Sequence, residues 1–145
     1  MKTSFNNHSG HVDVDAFLRV CAAGNLKEVE RMVAEDPRVV DVSNPMGFTG
    51  LMKAIQTDHL HVAAFLVAKK ADTLVRTDSE MTAWHFAAEK EKADFLNILA
   101  SGTPAEKRAG ISSEVSRYMR GEMTPKVSGY LSSLATAAPA SSYKK

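Results

Sequence analysis

The sequence predicts an all-α fold, a solenoid of about three stacked helix–turn–helix repeats that ends in a C-terminal capping helix. Two observations carry this prediction. A pattern of paired short helices recurs with a period near 33 residues, because its clearest markers, Thr49 and Thr82, lie 33 positions apart. Each predicted helix has about two turns, and isolated helices below roughly 12 residues are marginal in water. Their apolar stripes therefore need the neighbouring repeat for burial.

The first repeat begins near Asp15, where a polar N-terminal arm gives way to a helical pattern. Gly24-Asn25 separates its two helices, and the second helix stops before Asp36-Pro37. The apolar residues of the two stripes are Phe17, Leu18, Cys21 and Ala22, followed by Leu26, Val29, Met32 and Val33.

The second and third repeats show the same two stripes in the same order. The second repeat has Leu51, Met52, Ala54 and Ile55, then Leu60, Val62, Phe65, Leu66 and Val67. The third repeat has Trp84, His85, Ala87 and Ala88, then Phe95, Leu96, Ile98 and Leu99.

The repeat pattern stops after Leu99, and a different helix signal follows. The run TPAE at 103–106 matches a capping box with proline at the first helical position, which predicts a helix from about Pro104 to Arg120 with a potential break at Gly110. Its apolar stripe is Ile111, Val115, Tyr118 and Met119, which could cover the exposed face of the last repeat. We therefore divide the chain into a flexible arm (1–12), a repeat domain (13–102), a capping helix (103–120) and a Ser/Ala-rich, mostly disordered tail (121–145).

Composition narrows the functional classes. Eighteen basic and seventeen acidic side chains give a formal charge of +1. The sequence therefore lacks the excess of basic residues that favours binding to nucleic acid or to an anionic membrane. The single cysteine, Cys21, excludes an intramolecular disulfide and a cysteine-based zinc site. Because no apolar run suits a signal peptide or a membrane span, we expect a cytoplasmic protein.

The repeats resemble a known family. The run TAWHFAA at 82–88 is similar to the Thr-Pro-Leu-His-x-Ala-Ala opening of an ankyrin repeat, and GFTGLMKA at 47–54 is a weaker copy of it. FLRVCAAGNL at 17–26 resembles a first, capping ankyrin repeat, and DHL at 58–60 parallels the family's Gly-His-Leu turn. The resemblance covers roughly residues 14–102 and implies a protein-binding solenoid without catalytic activity or cofactor.

Several family positions carry unusual residues. Gly50 and Ala83 replace the proline that starts the first helix, and the turn glycines are replaced at four positions, which are Asp58, Lys70, Glu80 and Glu91. A residue other than glycine costs roughly 1–2 kcal/mol in a left-handed conformation. This cost predicts that some of these turns are remodelled.

Catalytic and metal-binding readings find little support in the sequence. It has no nucleophile elbow, phosphate-binding glycine loop or HExxH zinc helix. His85 and Glu89 lie one helical turn apart and could supply two metal ligands, but we favour a His85 that hydrogen-bonds a turn backbone. His8, His11 and Asp13 could bind a metal only at the entropic cost of ordering the arm. Cys21 lies on an apolar stripe, where we favour plain core over a nucleophile.

The resemblance implies a binding surface formed by the hairpin tips and the exposed side of each repeat's first helix. The predicted partner-binding residues are Arg19, Met46, Phe48, Lys53, Gln56, Thr57, Asp78, Ser79, Met81, Phe86, Glu89 and Lys90. Four of them, Met46, Phe48, Met81 and Phe86, are large and apolar, as binding hot spots often are. The alternative for Phe48 and Phe86 is packing between adjacent hairpins or under the tail.

We therefore predict a protein that is monomeric when free and that binds and inhibits or regulates one partner protein, for example an enzyme or a toxin. The first alternative is a scaffold or adaptor that uses residues 130–134 of the tail as a second site. The second alternative is a metal-dependent enzyme built around His85 and Glu89.

Overall fold

The structure, a computed structural model, describes residues 13–120 and 122–142. Within them it contains eight α-helices and no strands. The helices are α1 Val14–Ala23, α2 Leu26–Glu35, α3 Gly50–Gln56, α4 Leu60–Ala68, α5 Ala83–Lys90, α6 Ala93–Ser101, α7 Ala105–Met119 and α8 Pro125–Ser142, with a short 3₁₀ helix at Pro37–Asp41. The predicted flexible arm, with His8 and His11, lies outside the described residues.

The helices form two layers. The inner helices α1, α3, α5 and α7 pack side by side in chain order, and the outer helices α2, α4, α6 and α8 cover them. Each of the pairs α1–α2, α3–α4 and α5–α6 is one predicted repeat, and its apolar stripes are buried against the next pair. The prediction of an all-α repeat solenoid is confirmed.

Side-chain caps explain where the inner helices α1, α3 and α5 begin. The hydroxyl oxygen of Thr49 accepts from the backbone N–H of Met52 at 3.3 Å, and that of Thr82 accepts from Trp84 N–H at 3.2 Å. Asp13 caps α1 in the same way, because its carboxylate accepts from Ala16 N–H at 3.0 Å. These caps satisfy backbone donors that the first turn of a helix leaves without a partner. The threonines that mark the repeat period thus mark the helix starts.

The turn positions keep their left-handed conformation without glycine, so the prediction that some turns are remodelled is wrong. Asp58 (φ 68°) and Lys70 (φ 73°) match Gly24 (φ 74°), and Glu80 and Glu91 have φ values of 65° and 57°. After Gly24, Asp58 and Lys70, the next N–H bonds a carbonyl five residues back, at 3.3, 2.8 and 3.0 Å respectively. This is the Schellman arrangement that closes a helix. Packing between the repeats therefore imposes the left-handed turn conformation. The backbone strain of a residue other than glycine is retained in the folded protein.

Lys70→Gly should raise the free energy of unfolding by about 1 kcal/mol, because glycine adopts this conformation without the strain of a side chain. The measurement is equilibrium urea denaturation of both proteins. Lys70→Ala is the control, since it removes the same side chain and keeps a Cβ at φ 73°. An equal gain for Lys70→Ala, or no gain for Lys70→Gly, would contradict the strain assignment.

Gly50 allows α1 and α3 to approach closely. A Cβ built on Gly50 would lie 2.6 Å from Cε2 of Phe17 and 2.8 Å from Sγ of Cys21. Both neighbours are fully buried side chains of the first repeat, so neither can move aside without opening the core. The large ring of Phe17 thus explains why glycine stands where the family pattern has proline.

Gly50→Ala should lower the free energy of unfolding by about 1–3 kcal/mol, the usual range for overpacking a core. Gly110→Ala is the matched control, because Gly110 lies inside α7 and, apart from that helix's own backbone and the adjacent residues, no heavy atom lies within 4 Å of the built Cβ. That control should instead gain about 0.5–1 kcal/mol, since alanine is the better helix former. Thermal and urea denaturation read both values, and a neutral Gly50→Ala would show that the two helices are not in close contact.

Cys21 is part of the core, as we favoured. Its side chain is fully buried, and burial raises the pKa of its thiol to about 12. A thiol with that pKa stays protonated near neutral pH and is a poor nucleophile.

The C-terminal segment differs from the sequence prediction in two respects. The predicted helix is present as α7 and runs unbroken through Gly110, but the capping box is wrong. The hydroxyl of Thr103 donates to the carbonyl of Leu99 at 2.6 Å and lies 2.5 Å from the hydroxyl of Thr73, and it makes no cap for α7. Thr103 therefore fastens the second repeat to the start of α7.

The expectation of a mostly disordered tail is corrected by helix α8. Val127 and Leu131, one helical turn apart, are fully buried, and the hydroxyl of Tyr130 donates to Oδ1 of Asn97 on α6 at 3.2 Å. The helices α7 and α8 pack closely on each other and occupy the position of a fourth repeat. A helix pair, rather than a single helix, therefore covers the open side of the third repeat.

Candidate protein-binding face

Two hairpins connect the repeats, and each has the same internal scaffold. In the first, Oδ1 of Asn44 accepts from the N–H groups of Met46 and Phe48, both at 3.0 Å. In the second, the hydroxyl oxygen of Thr77 accepts from Ser79 and Met81, both at 3.2 Å. The N–H of Asp78 also donates to the carbonyl of Met46 at 2.9 Å and so joins the hairpins. The hairpin tips are thus held in one orientation.

We use the term hairpin face for the surface formed by these two hairpins and the exposed sides of α1, α3 and α5. Met46 lies at its edge with 59% of its surface exposed, whereas Phe48 and Met81 are half-buried. The ring centroids of Phe48 and Phe86 are 5.7 Å apart in a stacked arrangement, and Nζ of Lys53 lies 4.6 Å from the centre of the Phe48 ring.

Phe86 does not lie exposed on this face as the sequence analysis expected. It is only 6% exposed, because Phe48 of the preceding hairpin stacks on it. Phe86 is therefore packed, as in the alternative, but the contact joins a hairpin to helix α5 rather than two adjacent hairpins. Phe48 stays partly accessible to solvent.

The other predicted residues lie along the inner helices and hairpin tips. Exposed among them are Arg19, Thr57, Asp78, Ser79 and Glu89, and half-buried are Lys53, Gln56 and Lys90. Lys90 Nζ donates to the backbone carbonyl of Gln56 at 3.3 Å, which draws the ends of α3 and α5 together. The hydroxyl of Thr57 donates to the carbonyl of Lys53 at 2.7 Å, so its polar atom is engaged within its own helix.

Tyr118 belongs to this surface and was missed by the sequence analysis. Its hydroxyl donates to Oε2 of Glu89 at 2.6 Å, its ring meets the His85 ring edge-on at 5.0 Å, and it is 43% exposed. We had assigned it to the buried stripe of the last helix, although its hydroxyl needs a polar partner when the ring is packed. The hairpin face therefore continues onto α7.

His85 is held by the turn backbone, as we favoured. Its Nδ1 accepts from the N–H of Thr82 at 3.0 Å, and its Nε2 lies 3.5 Å from Oε2 of Glu114 on α7. The Arg76 guanidinium donates to both oxygens of Glu114, at 2.7 and 2.8 Å, and holds the pKa of that carboxyl below its usual range. No cluster of three or more His, Cys, Asp or Glu side chains suited to a metal ion occurs in the described part of the chain.

Acidification should destabilise the fold through His85. Burial lowers the pKa of this imidazole below its ordinary 6.5, with opposing contributions from Glu114 and Glu89 and a further lowering by Arg76. Since the unfolded chain then binds the proton more tightly, the stabilisation is fully present above about pH 6.5 and is lost as the pH falls through the folded pKa. Urea denaturation at about pH 7.5 and about pH 5.5 measures the loss.

His85→Asn is the control for this pH dependence, because its amide oxygen can accept from Thr82 N–H without titrating. The difference in unfolding free energy between the two pH values should be smaller in this variant. An unchanged difference would assign the acid sensitivity to other groups.

Comparison with known proteins agrees with this geometry. A family model described as ankyrin repeats, in three copies, matches residues 16–109. The chain therefore belongs to the ankyrin-repeat family, whose repeats are general protein–protein interaction modules. No curated protein matches the sequence. Among the described residues, no helix is both long and apolar enough to cross a membrane.

Proposed function

We propose that this protein binds one partner protein through the hairpin face and regulates the partner by covering part of its surface. The observation that carries the proposal is Met46, a large apolar side chain that is 59% exposed on a hairpin held in place by Asn44 and Asp78. An exposed apolar side chain on a fixed backbone, together with the half-buried Phe48 and Met81 and a polar surround, resembles the composition of a binding hot spot.

The rigidity of the face supports a binding function. The backbone donors at the tips are satisfied by Asn44 and Thr77, and the two hairpins are bonded to each other. Because the hairpins are already ordered, binding would cost little backbone entropy at these positions. We further propose that binding inhibits the partner. The cytoplasmic location stays a prediction.

The adaptor alternative has less support than a single binding face. It needs residues 130–134 as a free second site, but Leu131 is fully buried and Tyr130 is bonded to Asn97. The two side chains that would anchor a second protein there are therefore already packed or bonded within the stack. We therefore propose one partner rather than two.

Met46→Asp should weaken binding of the partner by about tenfold or more, because a carboxylate would be desolvated where an apolar side chain was buried. The experiment is affinity purification from the native organism, followed by titration of the purified partner. Thr124→Asp is the matched control, since it adds the same charge at an exposed site that precedes α8, where aspartate is a good helix cap.

One partner that is retained by wild type and Thr124→Asp and lost by Met46→Asp would support the hairpin face. The activity of that partner, measured with and without a stoichiometric amount of this protein, then tests regulation. Equal recovery with both variants would place the binding surface elsewhere.

A further inference from the structure

The charges on the hairpin face are segregated. Three carboxylates lie at its hairpin end, Asp15 in the first turn of α1 and Asp78 and Glu80 in the second hairpin. Three cations lie further along the inner helices, and we refer to Arg19, Lys53 and Lys90 as the basic strip. Two further carboxylates near the strip are already engaged. Glu89 accepts a hydrogen bond from the hydroxyl of Tyr118 at 2.6 Å, and Asp58 is ion-paired with Lys92 at 2.6 Å.

Within the described residues, Arg19 and Lys53 form no ion pair, and Lys90 has only a longer-range attraction to Asp58, a carboxylate that is already ion-paired with Lys92. Arg31, Arg38, Arg76 and Lys92 all form ion pairs, and all four lie off the strip. Lys90 bonds a backbone carbonyl, and Lys53 lies over the Phe48 ring, so both ammonium groups stay available to a partner.

Helix dipoles do not explain the basic strip. A cation in the last turn of a helix is favourable in any helix, inner or outer. Lys53 and Lys90 occupy the last turns of the inner helices α3 and α5, whereas among the outer helices only α4 has a cation at its C-terminal end, the cap residue Lys69, and α2 and α6 have none. Arg19 lies in the middle of α1, where the dipole has little effect. The cations thus follow the inner surface rather than the helix ends.

We propose that the partner contacts the hairpin face with an acidic polypeptide segment that has a large apolar side chain at one end. This inference rests on the proposed function and names the chemistry of the partner. The apolar side chain packs beside Met46 and Phe48, and the carboxylates lie over the basic strip, away from Asp15 and Asp78. Three neighbouring helices at roughly 8–10 Å spacing make the strip about 20 Å long, which an extended segment of about six residues spans.

The test uses random peptides of about 12 residues, displayed and selected on the immobilised full chain at low salt, where charge recognition is strongest. Enriched peptides are synthesised and their dissociation constants are measured by fluorescence anisotropy. We expect enrichment of Asp and Glu next to an aromatic or aliphatic residue, and affinity that falls as salt rises.

Lys53→Glu combined with Lys90→Glu should weaken these peptides by roughly tenfold or more, because like charges then face each other. Lys27→Glu is the matched control, since it makes the same charge change at an exposed position in the first turn of the outer helix α2. It should change affinity less than about twofold. Far-ultraviolet circular dichroism melts confirm that each variant is folded.

Two outcomes would overturn the inference, and they separate it from the proposed function. Peptides that are lost with Met46→Asp but are not acidic, or that tolerate the double Lys variant, would retain the hairpin face and refute the acidic partner. Peptides that tolerate Met46→Asp and the double Lys variant alike would count against both. A selection that enriches no peptide at low salt would also refute the acidic segment, while the proposed function is still tested with the folded partner.

Discussion

The fold depends on the burial of each helix against the next repeat. Helix α3 shows this most clearly, since it has seven residues and five of them, including Gly50 and Ile55, are buried. A helix of that length has too few internal hydrogen bonds to be stable alone, so its conformation is maintained by α1 on one side and α5 on the other. The same dependence explains why Lys70 and Glu91 accept a left-handed backbone, because stacking energy exceeds the local strain.

The last repeat of such a stack would expose an apolar side, and the helix pair α7–α8 covers that side at the C-terminal end. Ile111 and Val115 of α7 and Leu131 of α8 are buried, while Arg76 and Thr73, in the segment between α4 and α5, are bonded to Glu114 and Thr103. The helix pair also extends the proposed binding surface, because the hydroxyl of Tyr118 on α7 donates to Glu89 and the hairpin face thus continues onto α7. Structure and proposed binding surface are therefore consequences of the same packing.

The repeat period was sufficient to predict α1 to α6, because a stripe that recurs in phase identifies both helices and their partners. It could not predict α8, whose stripe of Val127, Leu131 and Leu134 is narrow and is diluted by Ser, Ala and Thr. The burial of Phe86 depends on stacking with Phe48, a contact between hairpin and helix that no local pattern encodes. Likewise, the pairing of Tyr118 with Glu89 follows from how α7 lies on α5, which its apolar stripe alone did not fix.

We propose that the stacked repeats engage the partner through the hairpin face. Site-specific photo-crosslinking in the native organism tests this binding site, with the reactive side chain placed at Met46 or at Lys69, the exposed residue that follows the C-terminal end of the outer helix α4. If the partner binds the hairpin face, position 46 gives an adduct with a single protein and position 69 gives none. An adduct from position 69 alone would contradict it, because the partner would then lie on the outer helices.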